Sequence, residues 1–523
     1  MGNEVTYDNA SSAELISPKE SSDGPQTIHG GDTQDIGCHS NSTQLSALSN
    51  NKNAEILKKY EKDYPVGPHD KPQSMCPAFG SLRVGLRMKR VATVLSGSAC
   101  CVYGLSFVSH FYGARRSVGY VPFNSESLVT GKLFEDIRDA VHDMADPKNY
   151  DAIVVTNLCV PTASGVPLRL LPNEINGVRI IGIDVPGFGV PTHAEAKDIL
   201  AGAMLNFARQ EVEAGPVAAP SSGKSDRPTL AMLGEMFPAD PMVIGSILAP
   251  MDLAAGPVLP AREWREMYAA LDCSAVAAIH PFYTATMREF DAAGRPSIGS
   301  APVGYEGTAS WLESVGEVFG VSKAKVSKAK NAVLPNIKKS IKDNKIKGRI
   351  TVSGYEGSEL IVARLLSESG IDVPYVGTAC PRTSMAEQDA QWLEAKGAVV
   401  KFRASLEDDI SAAEALEPDL AIGTTPLVQH FKQKGKSALY FTNLVSARPL
   451  MGQAGVGSFN QLINGVLNNS EKMQSLQNFF EGVGSDDTSG VWEGEPNLRP
   501  EFRAQNQKKL EKAARAAKAA EMI

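Results

Sequence analysis

Cysteines are concentrated in one stretch of the chain. Four of the seven lie between Met75 and Cys159: Cys76 before a proline, Cys100 and Cys101 side by side in a Gly-Ser-Ala-Cys-Cys turn, and Cys159 after an apolar run. Thiolates bind iron–sulfur clusters and zinc. The spacing is dispersed, unlike a compact Cys-x-x-Cys zinc knuckle, so metal ligation and simple packing both stay open. Only one of Cys100 and Cys101 can readily face a given site, so a four-thiolate site needs a ligand from elsewhere.

The composition limits the classes of function. A chain of 523 residues, 43% hydrophobic and 21% charged, predicts a globular protein of two to four domains. Its formal net charge of −7 argues against a general nucleic-acid-binding surface. Residues 1–50 are rich in Ser, Asn, Asp and Gly and lack the apolar segment of a signal peptide. We therefore expect this extension to be disordered, the protein to be cytoplasmic and its cysteines to be reduced.

One uncharged stretch resembles a membrane span in length only. It runs from Val91 to Ser109 and contains several Gly and Ser residues. A span normally consists of about 20 predominantly apolar residues. The stretch therefore predicts a buried strand, a turn and a helix.

Apolar runs around the cysteines predict buried strands that alternate with helices. The strands are Val91–Leu95, Tyr150–Asn157 and Val178–Asp184, and the helices are Gly131–Met144 and Ala194–Ala214. This alternation predicts a parallel sheet covered by helices. The functional loops of such sheets lie beyond the carboxyl ends of the strands. Cys101 and Cys159 each follow a strand, so we expect them at the same edge.

The same pattern recurs along the chain and predicts an α/β protein of three Rossmann-like parallel-sheet domains. A Pro-, Gly- and Ser-rich linker precedes the second domain, and a Lys-rich connector precedes the third. The predicted parts are a disordered extension (1–70), a cysteine-bearing α/β domain (71–225), a second α/β domain (226–345), a third (346–470) and a helical C-terminal tail (471–523).

Polar residues after strands of the second and third domains are weaker candidates for a site. His280 and Tyr283 follow a predicted strand, where they could donate a proton, contact a substrate or cap the next helix. Tyr355 and Glu356, after the first strand of the third domain, have the same alternatives.

The other cysteines and one acidic pair add little. Cys273 enters an apolar segment, which favours core packing over a second metal centre, and Cys38 lies in the extension. Glu135 and Asp136 could be docking charges for a partner protein or form a solvated helix face.

The cysteine pattern also carries a family resemblance. Cys-Pro, a Gly-Ser-Ala-Cys-Cys-Val-Tyr turn about 25 residues later, and a third cysteine closing a buried strand resemble the nitrogenase-like reductases. The runs Cys76–Arg83, Phe107–Arg116 and Ile183–His193 are most similar to the reductases that act on chlorophyllide a. The resemblance covers roughly residues 75–470 and implies the fold of nitrogenase component 1.

In that family the catalytic component is a heterotetramer of subunits Y and Z. A [4Fe–4S] cluster lies at their interface, with three cysteines from Y and one ligand from Z. The resemblance implies that this chain takes the place of Y, with Cys76, Cys101 and Cys159 as ligands. Relatives have a Gly-x-x-x-Cys turn, and counting from Gly97 reaches Cys101, which leaves Cys100 as a turn residue.

The implied reaction is the two-electron, two-proton reduction of the C7=C8 double bond in ring B of chlorophyllide a, a step of bacteriochlorophyll synthesis. Electrons would come from a transiently docked, ATP-hydrolysing iron–sulfur protein, subunit X. The sequence has no Gly-x-x-x-x-Gly-Lys-Ser/Thr loop, so this chain is not expected to bind ATP. Two alternatives stay open: another nitrogenase-like subunit, such as subunit N of protochlorophyllide reductase, and a non-enzymatic α/β binding module with structural cysteines.

Overall fold

A computed structural model describes residues 76–99, 101–105, 118–217, 226–234, 241–446 and 449–472, together with 508, 511 and 512. The predictions for the N-terminal extension, for most of the C-terminal tail, and for Cys38 and Cys100 lie outside these residues. Within them the chain forms three β-sheets with helices on their faces, which confirms the predicted α/β class. No helix of this described part is long and apolar enough to cross a membrane.

The first sheet is built from the apolar runs around the cysteines. Its strands are β1 (Val91–Ser96), β2 (Val118–Val121), β3 (Ala152–Asn157), β4 (Glu174–Ile175) and β5 (Val178–Asp184), in the spatial order β2-β1-β3-β5-β4. Its helices are α1 (Ala78–Arg87), α2 (Ser125–Val129), α3 (Lys132–Met144), α4 (Cys159–Ala163) and α5 (His193–Ala214), and residues 101–105 are also helical. β1 and β3 are buried along their whole length, as expected of central strands in a sheet covered on both faces.

The prediction of a wholly parallel first sheet is wrong at one edge. β4 pairs antiparallel with β5. Asn176 and Gly177 connect the two strands with φ angles of 52° and 82°. Two consecutive residues with positive φ form the tight hairpin turn that Asn-Gly favours. The Asn-Gly dipeptide is therefore the sequence signal from which this hairpin could have been predicted.

The second sheet contains four parallel strands in the order β7-β6-β8-β9. The strands are β6 (Thr229–Leu233), β7 (Ala254–Leu259), β8 (Ala275–Ala278) and β9 (Ser297–Gly299). The helices are α6 (Pro241–Leu248), α7 (Trp264–Leu271), α8 (Thr284–Ala292), α9 (Tyr305–Val318) and α10 (Lys323–Asp343). α10 is the Lys-rich connector, and its lysine side chains lie mostly on the exposed face.

The third sheet contains five parallel strands in the order β12-β11-β10-β13-β14. The strands are β10 (Ile350–Gly354), β11 (Tyr375–Thr378), β12 (Val399–Phe402), β13 (Leu420–Gly423) and β14 (Ala438–Tyr440). The helices are α11 (Glu359–Glu368), α12 (Glu387–Ala395), α13 (Leu406–Leu416), α14 (Thr425–Gln433), α15 (Phe441–Ser446) and α16 (Gly452–Leu467). The three sheets fall within the three predicted α/β domains, whose boundaries stay predictions.

The hydrophobic cores continue from one sheet to the next. One buried cluster contains Leu95 of the first sheet and Val276 of the second. Another contains Met232 of the second sheet and Val352 of the third. Because these side chains are excluded from water together, burial of apolar surface fixes the three sheets relative to one another.

Gly80 of α1 lies directly against the start of α5. A Cβ atom at Gly80 would lie 2.0 Å from the carbonyl oxygen of His193 and 3.2 Å from the Cβ of Ala196. Because the close neighbour is main chain, we predict that Gly80→Ala lowers the free energy of unfolding by about 1–3 kcal/mol.

Gly465→Ala in α16 is the matched control, since a Cβ there has no neighbour within 4 Å. We expect it to raise the free energy of unfolding by about 0.5–1 kcal/mol through helix propensity. Chemical denaturation compares the two variants, and an equal effect of both would contradict the close approach of α1 and α5.

Candidate functional site

The carboxyl ends of β1 and β3 meet at one edge of the first sheet. Ser96, the last residue of β1, pairs with Asn157, the last residue of β3. Cys159 begins α4 shortly after β3, and Cys101 lies in the helical segment that follows β1. Both cysteines therefore lie at the edge that the strand pattern predicted.

Cys76 reaches the same edge from the opposite direction. It precedes α1, and a short connection of residues 88–90 joins α1 to β1. Because α1 packs against β1, the helix runs antiparallel to the strand, and its start lies near the strand's carboxyl end. Burial raises the pKa of the Cys76 thiol, the N–H of Ala78 lowers it by donating to the sulfur, and the sulfur of Cys159 raises it again. The two sulfur atoms are thus close enough to interact.

Cys159 is held by a main-chain donor from a third element. The N–H of Gly187 donates to the Cys159 sulfur at 3.1 Å. Gly187 lies in the loop between β5 and α5. Hydrogen bonds from main-chain N–H groups to sulfur orient metal-binding thiolates and tune the metal centre.

Cys101 lies at the protein surface. Its side chain is exposed, and residues 101–105 form a helical segment. Each of the three cysteines thus lies at or near the start of a helical segment. The choice between Cys101 and Cys100 stays a prediction, because Cys100 lies outside the described residues.

The chemistry of these donors, thiols with main-chain N–H groups directed at two of the sulfurs, suits an iron–sulfur group. Cys76 and Cys159 are near each other and both accept main-chain N–H donors, while Cys101 is exposed. In the described part of the chain, no three His, Cys, Asp or Glu side chains are grouped closely enough to hold a metal ion. A closed structural zinc site needs four such ligands from the fold itself and does not fit this arrangement.

His280 and Tyr283 lie in the interior between the second and third sheets. Their side chains are 3% and 1% exposed, and their rings are parallel with centroids 6.4 Å apart. Phe282 stacks on Tyr283 and fills the space beside Gly357, where an added Cβ would lie 2.2 Å from its ring. These contacts are packing contacts. A role for His280 or Tyr283 in proton donation or substrate binding stays a prediction.

A buried ion pair joins the first and third domains. The Lys197 ammonium of α5 lies 3.1 Å from a carboxylate oxygen of Glu356, and the side chains are 1% and 8% exposed. Burial alone would raise the pKa of Glu356, but the charges of Lys197, His193 and Arg83 outweigh it and hold that pKa well below its usual range. Glu356 was a candidate from the sequence and Lys197 was not, because a helical pattern carries no signal for a partner 159 residues away.

A second buried carboxylate lies beside this pair. Burial raises the pKa of Glu359 to about 7. Main-chain N–H groups of Glu356 and Gly357 and the hydroxyl of Thr378 donate to its oxygens and oppose that shift. Glu359 thereby holds the turn after β10 in place.

The remaining candidates lie apart from the cysteine edge. Cys273 is buried, and its thiol donates to the carbonyl of Ala269, which is the environment of a packed core residue. Glu135 and Asp136 lie on α3, with Glu135 on its exposed side. A cleft of about 690 Å³ at the opposite edge of the first sheet is lined by Arg90, Arg179 and Trp264 among others, and contains none of the three cysteines.

Comparison with known proteins identifies the fold and several relatives. The family described as Nitrogenase component 1 type Oxidoreductase matches residues 76–468. A solved structure described as "Nitrogenase Cp1 at pH 6.5" superposes with a TM-score of 0.60 and 15% identity, covering 80% of this chain and 96% of that chain. These matches confirm the fold that the resemblance implied.

Curated relatives are more similar in sequence. The "Chlorophyllide reductase 52.5 kDa chain" of Cereibacter sphaeroides is 70% identical over 488 residues, which are 93% of this chain and 97% of the relative. The protein of the same description from Rhodobacter capsulatus is 68% identical and covers 93% and 98% of the two chains. "Light-independent protochlorophyllide reductase subunit N" of a Bradyrhizobium species is 23% identical over 304 residues, 57% of this chain and 68% of the relative.

Proposed function

Because the chain belongs to the nitrogenase component 1 type oxidoreductases, we propose that it is subunit Y of a chlorophyllide a reductase. In this role it contributes to reduction of the C7=C8 double bond in ring B of chlorophyllide a during bacteriochlorophyll synthesis, in the cytoplasm. The observation that carries the proposal is the 70% identity to a chlorophyllide reductase chain over nearly the full length of both proteins. The placement of three cysteines at one edge of the first sheet supports it.

Three thiolates of this chain would bind a [4Fe–4S] cluster: Cys76, Cys101 and Cys159. The fourth ligand would come from subunit Z, and exposure of Cys101 supports a site completed at an interface. When bound, such a cluster accepts and passes on single electrons.

The chain's own groups prepare this edge of the sheet for negative charge. The N–H groups of Ala78 and Gly187 donate to the sulfurs of Cys76 and Cys159 and hold their orientation. Partial burial of Cys76 and Cys159 limits the access of water.

The proposal includes a division of labour between subunits. This chain and subunit Z would form the heterotetrameric catalytic component, and subunit X would hydrolyse ATP and deliver electrons while docked transiently. The chain itself carries no Walker-type loop for ATP, which supports this division.

Pigment reduction by the assembled enzyme tests the proposal. Purified complex of this chain with subunit Z, supplied anaerobically with subunit X, ATP and dithionite, is expected to convert chlorophyllide a to the product with a reduced ring B, seen as a shift of the long-wavelength absorption band. Omission of ATP is the control. Turnover of protochlorophyllide in place of chlorophyllide a would favour the role of subunit N, and a colourless, iron-free complex would favour a non-enzymatic binding module.

A further inference from the structure

The start of α5 supports two of the three proposed ligands. Gly80, in the helix that follows Cys76, lies against the carbonyl of His193, the first residue of α5. Gly187, which donates to the sulfur of Cys159, lies in the loop that enters α5. The position of this helix start therefore sets the positions of both Cys76 and Cys159.

The end of the same loop is fastened to the third domain. Thr192 caps α5 by accepting the N–H of Glu195, and its hydroxyl donates to the Glu195 carboxylate. Both oxygens of that carboxylate accept hydrogen bonds from Arg403 at 2.6 Å. Arg403 directly follows β12, so the first tie between the domains runs from the loop through Glu195 to the third sheet.

The second tie is the buried pair of Lys197 and Glu356. Lys197 lies one half-turn further along α5, and Glu356 also accepts a hydrogen bond from Thr442. Three positively charged groups act on the Glu356 carboxylate and lower its pKa. Lys197 and His193 lie on α5, and Arg83 lies on α1, the helix that follows Cys76. A single carboxylate of the third domain thus attracts the helix that follows Cys76 and the helix that follows the Gly187 loop.

A buried ion pair is weak evidence for a role in stability. Desolvation of a buried ion pair costs several kcal/mol per ion, and well-packed apolar residues of similar volume often replace such pairs without loss of stability. An ion pair differs from apolar packing in its directionality, because the carboxylate holds its donors at defined positions.

We propose that Glu356 is a positioning residue for the cluster, which holds α1 and α5, and with them Cys76 and Cys159, in the geometry that the cluster requires. This inference rests on the proposed function. Glu356 contacts no ligand cysteine and acts through Lys197 and the two helix starts.

The test uses the complex of this chain with subunit Z. Glu356→Gln keeps the shape of the side chain but removes its charge. We expect changed g-values and line widths in the EPR spectrum of the reduced cluster, a shifted midpoint potential and about tenfold slower pigment reduction, the lower end of what loss of a ligand-supporting contact typically costs. A positioning role predicts an unchanged KM for chlorophyllide a, whereas direct contact of Glu356 with the pigment would raise it.

Two further variants keep the experiment decisive. Glu387→Gln, which removes an exposed partner of Arg382 in the same domain, is the matched control and should leave the spectrum and potential at wild-type values. Lys197→Met combined with Glu356→Leu removes both members of the buried ion pair, so this double variant should fold even if Glu356→Gln does not, and should also show the altered spectrum.

The outcomes separate the two claims. Wild-type spectra and potentials in both the Glu356→Gln and the double variant would overturn the positioning role, as would equal changes in Glu387→Gln. Absence of iron from the wild-type complex would instead overturn the proposed function, and the positioning role with it.

Discussion

Complexes that carry Cys76→Ala or Cys159→Ala are expected to lose their iron and sulfide. Each substitution would remove one of the four ligands of the proposed [4Fe–4S] cluster. Loss of a hydrogen-bond partner of a metal ligand typically costs about 10–100-fold in activity. Loss of the ligand itself should lower the rate of pigment reduction by more than this. Iron and sulfide analysis of the anaerobically purified complex measures the effect directly.

The tandem cysteines provide an internal comparison for this series. Cys101→Ala should lose the cluster and Cys100→Ala should keep it, and the reverse result would move the ligand to Cys100. Cys273→Ala is the control for removal of a thiol elsewhere, because Cys273 is buried and donates to the carbonyl of Ala269. Iron content equal to wild type in the Cys76 and Cys159 variants would contradict the assignment.

Arg364→Met is expected to lower the free energy of unfolding by about 3–5 kcal/mol, because it leaves two buried carboxylates without their cation. Arg364 lies 3.3 Å from Glu368 and 2.8 Å from Asp389, and all three side chains are at most 4% exposed. Its guanidinium also lies 4.9 Å from the ring centre of Trp392. Urea denaturation followed by circular dichroism measures the loss.

The control for this prediction is Arg382→Met, an arginine that also pairs with two carboxylates, Glu387 and Glu394. These partners are exposed to water, which screens the attraction, so no measurable change in the urea midpoint is expected. Similar losses of unfolding free energy in the two variants would show that burial does not cause the large contribution of Arg364 to stability.

The features that could be predicted from the sequence are those with local periodicity. The apolar runs at β1, β3 and β5 alternate with helical patterns, and this alternation correctly predicted a sheet with Cys101 and Cys159 beyond strand ends. The position of Cys76 at the same edge follows from the short connection between α1 and β1. The assignment of these cysteines as ligands came from the family resemblance, because their spacing alone also fits packed thiols.

The features that could not be predicted depend on distant partners. Lys197 lies within a helical pattern that looks unremarkable until Glu356 packs against it from another domain. Gly187 was likewise part of a matching run, but only the fold shows that its N–H meets the Cys159 sulfur. Continuity of the cores across the sheets was missed for the same reason, since burial of each side chain depends on neighbours far along the chain.

We propose that this chain provides three ligands of a cluster whose fourth ligand comes from a partner. Iron and sulfide analysis with EPR on the chain purified anaerobically, alone and after co-expression with subunit Z, tests this most directly. We expect a reducible [4Fe–4S] signal and stoichiometric iron in the co-expressed complex, and neither in the chain alone. A complete cluster on the isolated chain, or an active complex without iron, would contradict it.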